Sequence, residues 1–141
     1  MSKDLYYMKI AKVISEKSTC LRHHFGAVIT KDDVIVSTGY NGAPRKCKHC
    51  TELGCLRNEL NIPSGTKIET CRAVHAEMNA IIQADGYKMI DSNIYINGIP
   101  CITCAKMIIN ARIKRVVCID NNYPDIQGLK LLDNMIEVVK C

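Results

Sequence analysis

The chain has 141 residues, of which 48% are hydrophobic and 23% charged, with a formal net charge of +5. That balance excludes a disordered or fibrous chain, and the length predicts one domain over residues 1–141 with a single core. Nine cysteines would suggest a disulfide framework in a secreted protein, but the count is odd, and MSKDLYYMKIAKVISEK is charged where a signal peptide is apolar.

Cytoplasmic thiols that bind metal are therefore expected, with no membrane partner, since no segment approaches spanning length. From Leu5 to about Lys17, Leu5, Met8, Ala11, Val13 and Ile14 recur at helical spacing behind the capping candidates Ser2 and Asp4. Gly26–Thr30 and Val34–Thr38 are β-rich runs joined by Lys31-Asp32-Asp33, the composition of a tight antiparallel hairpin. An irregular insertion around 40–72 collects Gly, Pro, Lys and many of the cysteines, and a loop that long needs something to hold it.

Ala76–Ala84 then predicts a helix with Met78, Ile81 and Ile82 on one side, stopped by Asp85-Gly86 and followed by a strand, Asn93–Asn97. Cys101 to about Asn110 is again helical, and Lys114–Asp120 is an apolar strand of the kind buried on both faces. Gly128–Asp133 predicts a short helix and Ile136–Val139 a last strand, at an edge. Helix–strand repetition implies parallel pairing, so the expected fold is α/β, a three-layer α/β/α domain with a mixed central sheet of about five strands.

The chemistry is concentrated in His75-Ala76-Glu77 and Pro100-Cys101-Ile102-Thr103-Cys104. Cys101 and Cys104, three apart at a helix start, can reach one ion from one face, and the helix amino terminus favours their thiolates. Pro100 costs nothing where helix N–H groups lack partners, and its carbonyl stays free for a substrate amine. His75 completes a Cys₂His set, which leaves tetrahedral Zn²⁺ an open position and so marks a catalytic site. Glu77 is then a free carboxylate for moving protons, provided that His75 sits at the helix cap and Glu77 approaches from another direction.

Either half alone has commoner explanations, a structural zinc knuckle or redox pair for the cysteines and chance for His-x-Glu. Together, in this order, they form the H-x-E…P-C-x-x-C signature of zinc nucleobase deaminases, in which an activated water attacks an amidine carbon.

Beyond these motifs the chain carries Ser18-Thr19-Cys20-Leu21-Arg22, Gly26-Ala27-Val28-Ile29, Gly39-Tyr40-Asn41-Gly42-Ala43-Pro44, His49-Cys50, Gly54-Cys55-Leu56-Arg57 and Cys104-Ala105-Lys106-Met107-Ile108-Ile109-Asn110. On these residues it resembles the cytidine/deoxycytidylate deaminase superfamily, and more closely the deoxycytidylate deaminases of bacterial, archaeal and viral type. The resemblance implies conversion of dCMP to dUMP and ammonia, with Asn41 on the sugar, the Ala76 backbone on the base carbonyl, Val28 on the base face and Tyr123 closing over the nucleotide.

Arg22 and Lys46 are the first candidates for the phosphate. The resemblance also implies a homohexamer, dCTP as activator and dTTP as inhibitor, and a regulatory nucleotide near Gly39, Tyr40, Asn41 and Gly42, with Mg²⁺ accompanying it. Some relatives hold the insertion with a second, closed Zn²⁺ built partly from positions matching Cys20 and Cys50. The expected set here is Cys20, Cys50, Cys55 and Cys71, with His49 or Cys47 as substitutes. One departure is visible: relatives usually have Gly where this chain has Arg112, so a left-handed cap there would be costlier.

Two other readings stay open. One is a deaminase of another substrate, dCTP, CMP or a base in RNA or DNA, although aromatic residues at 5% are thin for stacking a single strand. A non-catalytic, zinc-stapled nucleic-acid-binding module would use the cysteines and the charge, but has no need of Glu77.

Overall fold

The computed structural model describes residues 1–141. A five-stranded sheet runs in the order β2-β1-β3-β4-β5, where β1 is Gly26–Lys31, β2 Val34–Tyr40, β3 Asn93–Ile96, β4 Arg115–Cys118 and β5 Glu137–Lys140. β1 pairs antiparallel with β2 and β3, while β3, β4 and β5 run parallel, so the sheet is mixed as expected. The β1–β2 turn is tight because Asp32 and Asp33 both take left-handed φ, 51° and 61°, which matches the twist of a two-residue hairpin.

Alternation along the strands divides the interior. Ala27, Ile29, Ile94, Ile96, Val116 and Cys118 face one side, and Val28, Tyr95 and Val117 the other. Helix α1, Lys3–Ser15, covers the second face with Tyr7, Met8 and Ala11. Ser2 caps it by accepting from Leu5 N at 3.2 Å. Leu5 and Val13, expected on the buried stripe, are 48% and 62% exposed, because they lie on the far flank of Met8 from the Tyr7–Ala11–Ser15 row. Gly26 admits this helix: a Cβ there would stand 2.1 Å from the Ala11 carbonyl oxygen.

The first face carries α4 (Ala76–Gln83), α6 (Ile102–Asn110) and α7 (Gln127–Met135), which completes three layers. Asp85 caps a further short helix, α5, Gly86–Met89. On α4 the buried residues are Ala76, Glu77 and Ala80, whereas Ile82 is 69% exposed and not part of the expected apolar side. The close fit of α4 on β2 depends on Gly39, whose Cβ would meet the Ala76 carbonyl at 2.3 Å and the Ala80 nitrogen at 2.5 Å. Ser37 Oγ donates to Ala80 O at 2.7 Å beside it.

Helix α6 ends in a Schellman cap: Ile113 N–H bonds Ile108 O and Arg112 N–H bonds Ile109 O, with Arg112 at φ 67°. Arg112 therefore takes the costlier left-handed geometry at the helix end, and the helix does not end in a different way.

The segment between β2 and α4 is irregular, with only two short helices, α2 (Cys50–Leu53) and α3 (Leu56–Glu59), and a 3₁₀ turn at Ile68–Thr70. Gly42 and Val74 close its base by exchanging backbone hydrogen bonds of 3.2 and 2.7 Å. This closure brings residues from both ends of the segment over the start of α4.

Candidate active site

The amino termini of α4 and α6 converge on one point. His75 is the N-cap of α4 in extended conformation, so its ring departs from the helix while Glu77, two residues on, turns inward and is buried. Cys101 is the N-cap of α6, its sulfur accepting from Cys104 N at 3.4 Å, which fixes both sulfurs on one side of the first turn. His75 Nδ1 lies 3.3 Å from Cys104 Sγ and 3.5 Å from Cys101 Sγ.

These three are the group of possible metal ligands whose donor atoms all fall within 4.8 Å of one another. A tetrahedral zinc with ordinary Zn–N and Zn–S bonds would separate nitrogen and sulfur by about 3.6 Å, so the set fits zinc with a fourth position free. Cys101 is held as a thiolate, its thiol lowered to about 4 mainly by hydrogen bonding from Cys104 and then from His75, against the opposing effect of burial. Burial pushes the Glu77 carboxyl upward, with the nearby His75 opposing it. A carboxyl so tuned can both accept and return a proton.

These groups line a cavity of about 80 Å³ that opens to solvent at its mouth. Phe25, Ile96 and Ile99 make an apolar wall suited to a base. Asn41 lines the cavity but also works structurally: its Oδ1 accepts from Phe25 N and its Nδ2 donates to His23 O, both at 2.9 Å. One N–H and one lone pair remain for a ligand. Tyr123 stands at the wall, partly buried, and the Ala76 N–H in the first turn of α4 has no partner within the protein.

Four expected contacts are displaced. Val28 faces α1 with Tyr95 and Val117, on the opposite side of the sheet from the cavity, because neighbouring strand residues alternate. Lys46 is exposed and lines a different cavity, with Tyr40, Gly42, Arg45, Asn79 and Gln83. Gly39, expected near a regulatory nucleotide, is buried against α4, while Tyr40 and Gly42 do line that second cavity. Pro100 is fully buried and does not line the catalytic cavity, although its carbonyl accepts no hydrogen bond within the chain.

Cys20, Cys50, Cys55 and Cys71 all line the catalytic cavity. Burial raises the Cys50 thiol, and its neighbours Cys20, Cys71 and Cys55 raise it further, so the four surround one region. No three of them bring their sulfurs within 4.8 Å of one another, as the His75 set does.

Sequence reasoning overlooked Arg57 and Arg72, which line the cavity with Arg22. Arg22 Nε donates to Asn58 Oδ1 and its Nη2 to Ile62 O, both at 2.6 Å. Arg57 is buried and its Nη2 donates to Pro63 O at 3.0 Å and Thr66 O at 2.9 Å. A basic residue in an aperiodic loop gives no local sign of facing inward, so only the folded segment reveals them.

Comparison with known proteins agrees with this geometry. Residues 1–120 match the family model of the cytidine and deoxycytidylate deaminase zinc-binding region. The chain is 36% identical over 118 residues to the deoxycytidylate deaminase of Schizosaccharomyces pombe, covering 82% of this chain and 36% of that protein. With the deoxycytidylate deaminase of Mycobacterium phage D29 it shares 35% over 119 residues, covering 81% and 91%.

Among solved structures, the dCMP deaminase of cyanophage S-TIM5 in complex with dCMP and dUMP superposes with a TM-score of 0.77 at 28% identity, covering 100% of this chain and 99% of that one. The chain spans about two fifths of the length of the two yeast relatives that it matches. No helix is long and apolar enough to cross a membrane.

Proposed function

The chain belongs to the cytidine and deoxycytidylate deaminase zinc-binding family, and we propose that it hydrolyses dCMP to dUMP and ammonia as one deaminase domain over residues 1–141. The observation that carries this reading is the buried Glu77 carboxyl beside the three-donor set of His75, Cys101 and Cys104 at the floor of the cavity. Zinc bound by those three residues supplies Lewis acidity and makes water a nucleophile at neutral pH.

Glu77 does the rest of the proton work. It takes a proton from the attacking water and delivers it to the ring nitrogen N3 as the new C4–O bond forms. It then carries the second proton to the exocyclic amine, the C4–N bond breaks, and ammonia leaves with the carbonyl restored. Phe25, Ile96 and Ile99 exclude water from the base, and the Ala76 N–H, which does not itself line the cavity but has no partner within the chain, is the group we assign to the base carbonyl.

Three finer assignments belong to this reading. The second cavity, with Tyr40, Gly42 and Lys46, is the place for a regulatory dCTP or dTTP with Mg²⁺, supported by its basic Arg45–Lys46 rim. A structural zinc would draw Cys20, Cys55 and Cys71 inward onto Cys50, and zinc content distinguishes the cases: two ions per chain supports it, one removes it. Assembly is as a homohexamer, checked by mass in solution.

The substrate is tested by incubating the zinc-loaded protein with dCMP, CMP, dCTP, deoxycytidine and short cytosine- or adenine-containing oligonucleotides, and measuring ammonia. Preferential release from dCMP supports the assignment. Reaction with an oligonucleotide alone overturns it.

A further inference from the structure

We infer that Gly98 is a positioning residue for the substrate base: the side chain it lacks leaves the place in which the Phe25 ring lies, and the Phe25–Gly98 pair sets the width of the slot that a pyrimidine enters. The identity of the base rests on the proposed deamination, whereas the packing of the pair does not.

Phe25 lines the catalytic cavity; Gly98 is buried and does not. A Cβ at Gly98 would stand 2.5 Å from Phe25 Cε1 and 2.9 Å from Phe25 Cδ1. Carbon atoms pack at about 3.5–4.0 Å, so the edge of the ring occupies the room that a methyl group would need.

The Phe25 backbone is held against any shift that would make such room. Asn41, just past β2, accepts from Phe25 N–H with its Oδ1 at 2.9 Å and donates its own N–H to Phe25 O at 3.3 Å. Asn97, just past β3, treats the next residue in the same way: its Oδ1 accepts from Gly26 N–H at 2.8 Å and its N–H donates to Gly26 O at 3.4 Å, while its Nδ2 donates to His24 O at 3.2 Å. Two amide side chains thus continue the ladder of the sheet beyond the ends of its strands. The His23 ring stacks on Phe25 with centroids 5.6 Å apart and also lines the cavity. A Phe25 ring pushed off Gly98 can therefore turn only into the cavity or onto His23, and either narrows a space of about 80 Å³.

The slot reads one edge of the base. In the proposed reaction Glu77 serves N3 from the first turn of α4, which turns the C5–C6 edge of the pyrimidine away from that helix. That edge carries no hydrogen-bonding group, and the wall formed by Phe25, Ile96 and Ile99 offers none. A substituent on C5 then reports the width that Phe25 and Gly98 leave.

The test uses Gly98→Ala, Phe25→Leu and the double variant. For each, kcat/KM is measured with dCMP and with 5-methyl-dCMP, binding of dUMP and of its 5-methyl counterpart is followed by calorimetry, and zinc content is determined. In Gly98→Ala the 5-methyl-dCMP-to-dCMP ratio should fall by about tenfold or more, carried by KM, with unchanged zinc. Adding Phe25→Leu should return the ratio to within about threefold of the parent, because the smaller side chain gives back the room that the methyl group takes.

A ratio within twofold of the parent in Gly98→Ala overturns the inference, as does a fall that Phe25→Leu leaves unrelieved. If Gly98→Ala does not fold, the double variant decides: folding with a near-parent ratio supports the paired sizes, and failure to fold refutes them. The same shift in dUMP against 5-methyl-dUMP binding, in a protein that releases no ammonia from dCMP, would retain the positioning role and refute the deamination.

Discussion

His75 turns its Nδ1, not its Nε2, toward the Cys104 sulfur at 3.3 Å. This follows from the N-cap position: the extended backbone at His75 throws the ring across to the first turn of α6, and Cys101 Sγ falls 3.5 Å from the same nitrogen. Removing any one donor leaves two, too few for a catalytic zinc. His75→Ala and Cys104→Ser should each lower bound zinc well below one equivalent, measured by atomic absorption. A chelator should abolish ammonia release from the parent protein and added zinc should restore it; activity persisting in metal-stripped protein would contradict the site.

Arg112 terminates α6 at φ 67°, where a residue with a Cβ is strained. Arg112→Gly should relieve that strain, partly offset by the greater freedom of glycine in the unfolded chain. The net gain should be roughly 0.5–1 kcal/mol, seen as a rise of roughly 2–4 °C in Tm. A fall in Tm would show that the Arg112 side chain contributes more than its backbone costs.

Asp4 joins α1 to the sheet by accepting two parallel bonds from Arg115, at 2.8 and 2.6 Å, and a third from the Tyr95 hydroxyl at 3.2 Å. The Arg115 guanidinium holds the Asp4 carboxyl below its ordinary value of 3.8. A carboxyl depressed in the folded state stabilises fully above its unfolded pKa and loses that contribution as pH falls through its folded pKa. Asp4→Asn should therefore cost about 1–2 kcal/mol at neutral pH, with the partial solvent exposure of the pair keeping the figure modest. The difference from the parent should shrink below about pH 4 in urea titrations. A difference that grew on acidification would contradict the assignment.

The donor set was legible in the sequence because each half of it is local. His75-Ala76-Glu77 and Cys101–Cys104 sit at helix starts, where spacing determines which side chains share a direction. Contacts that depend on how distant segments meet were not legible in that way. Val28 was assigned to the base, but a single step along β1 separates the two faces of the sheet, and the cavity is walled by Phe25 and Ile96 instead. Lys46 and Arg57 look alike in sequence, as single cations in an aperiodic insertion. Only the Gly42–Val74 closure and the fold of the short helices send one outward and the other into the cavity. The fold itself was more accessible, because strand alternation and helix–strand order are written along the chain, whereas Leu5 and Ile82 show that an apolar residue on a helix need not be buried.

The most direct test of the central claim is Glu77→Gln, which keeps the shape of the side chain and removes its capacity to carry protons. The variant should retain zinc at the parent level and lose about 10²–10⁴-fold or more of its ammonia release from dCMP, measured under saturating substrate. Full zinc occupancy with deamination within a few-fold of the parent would contradict the account.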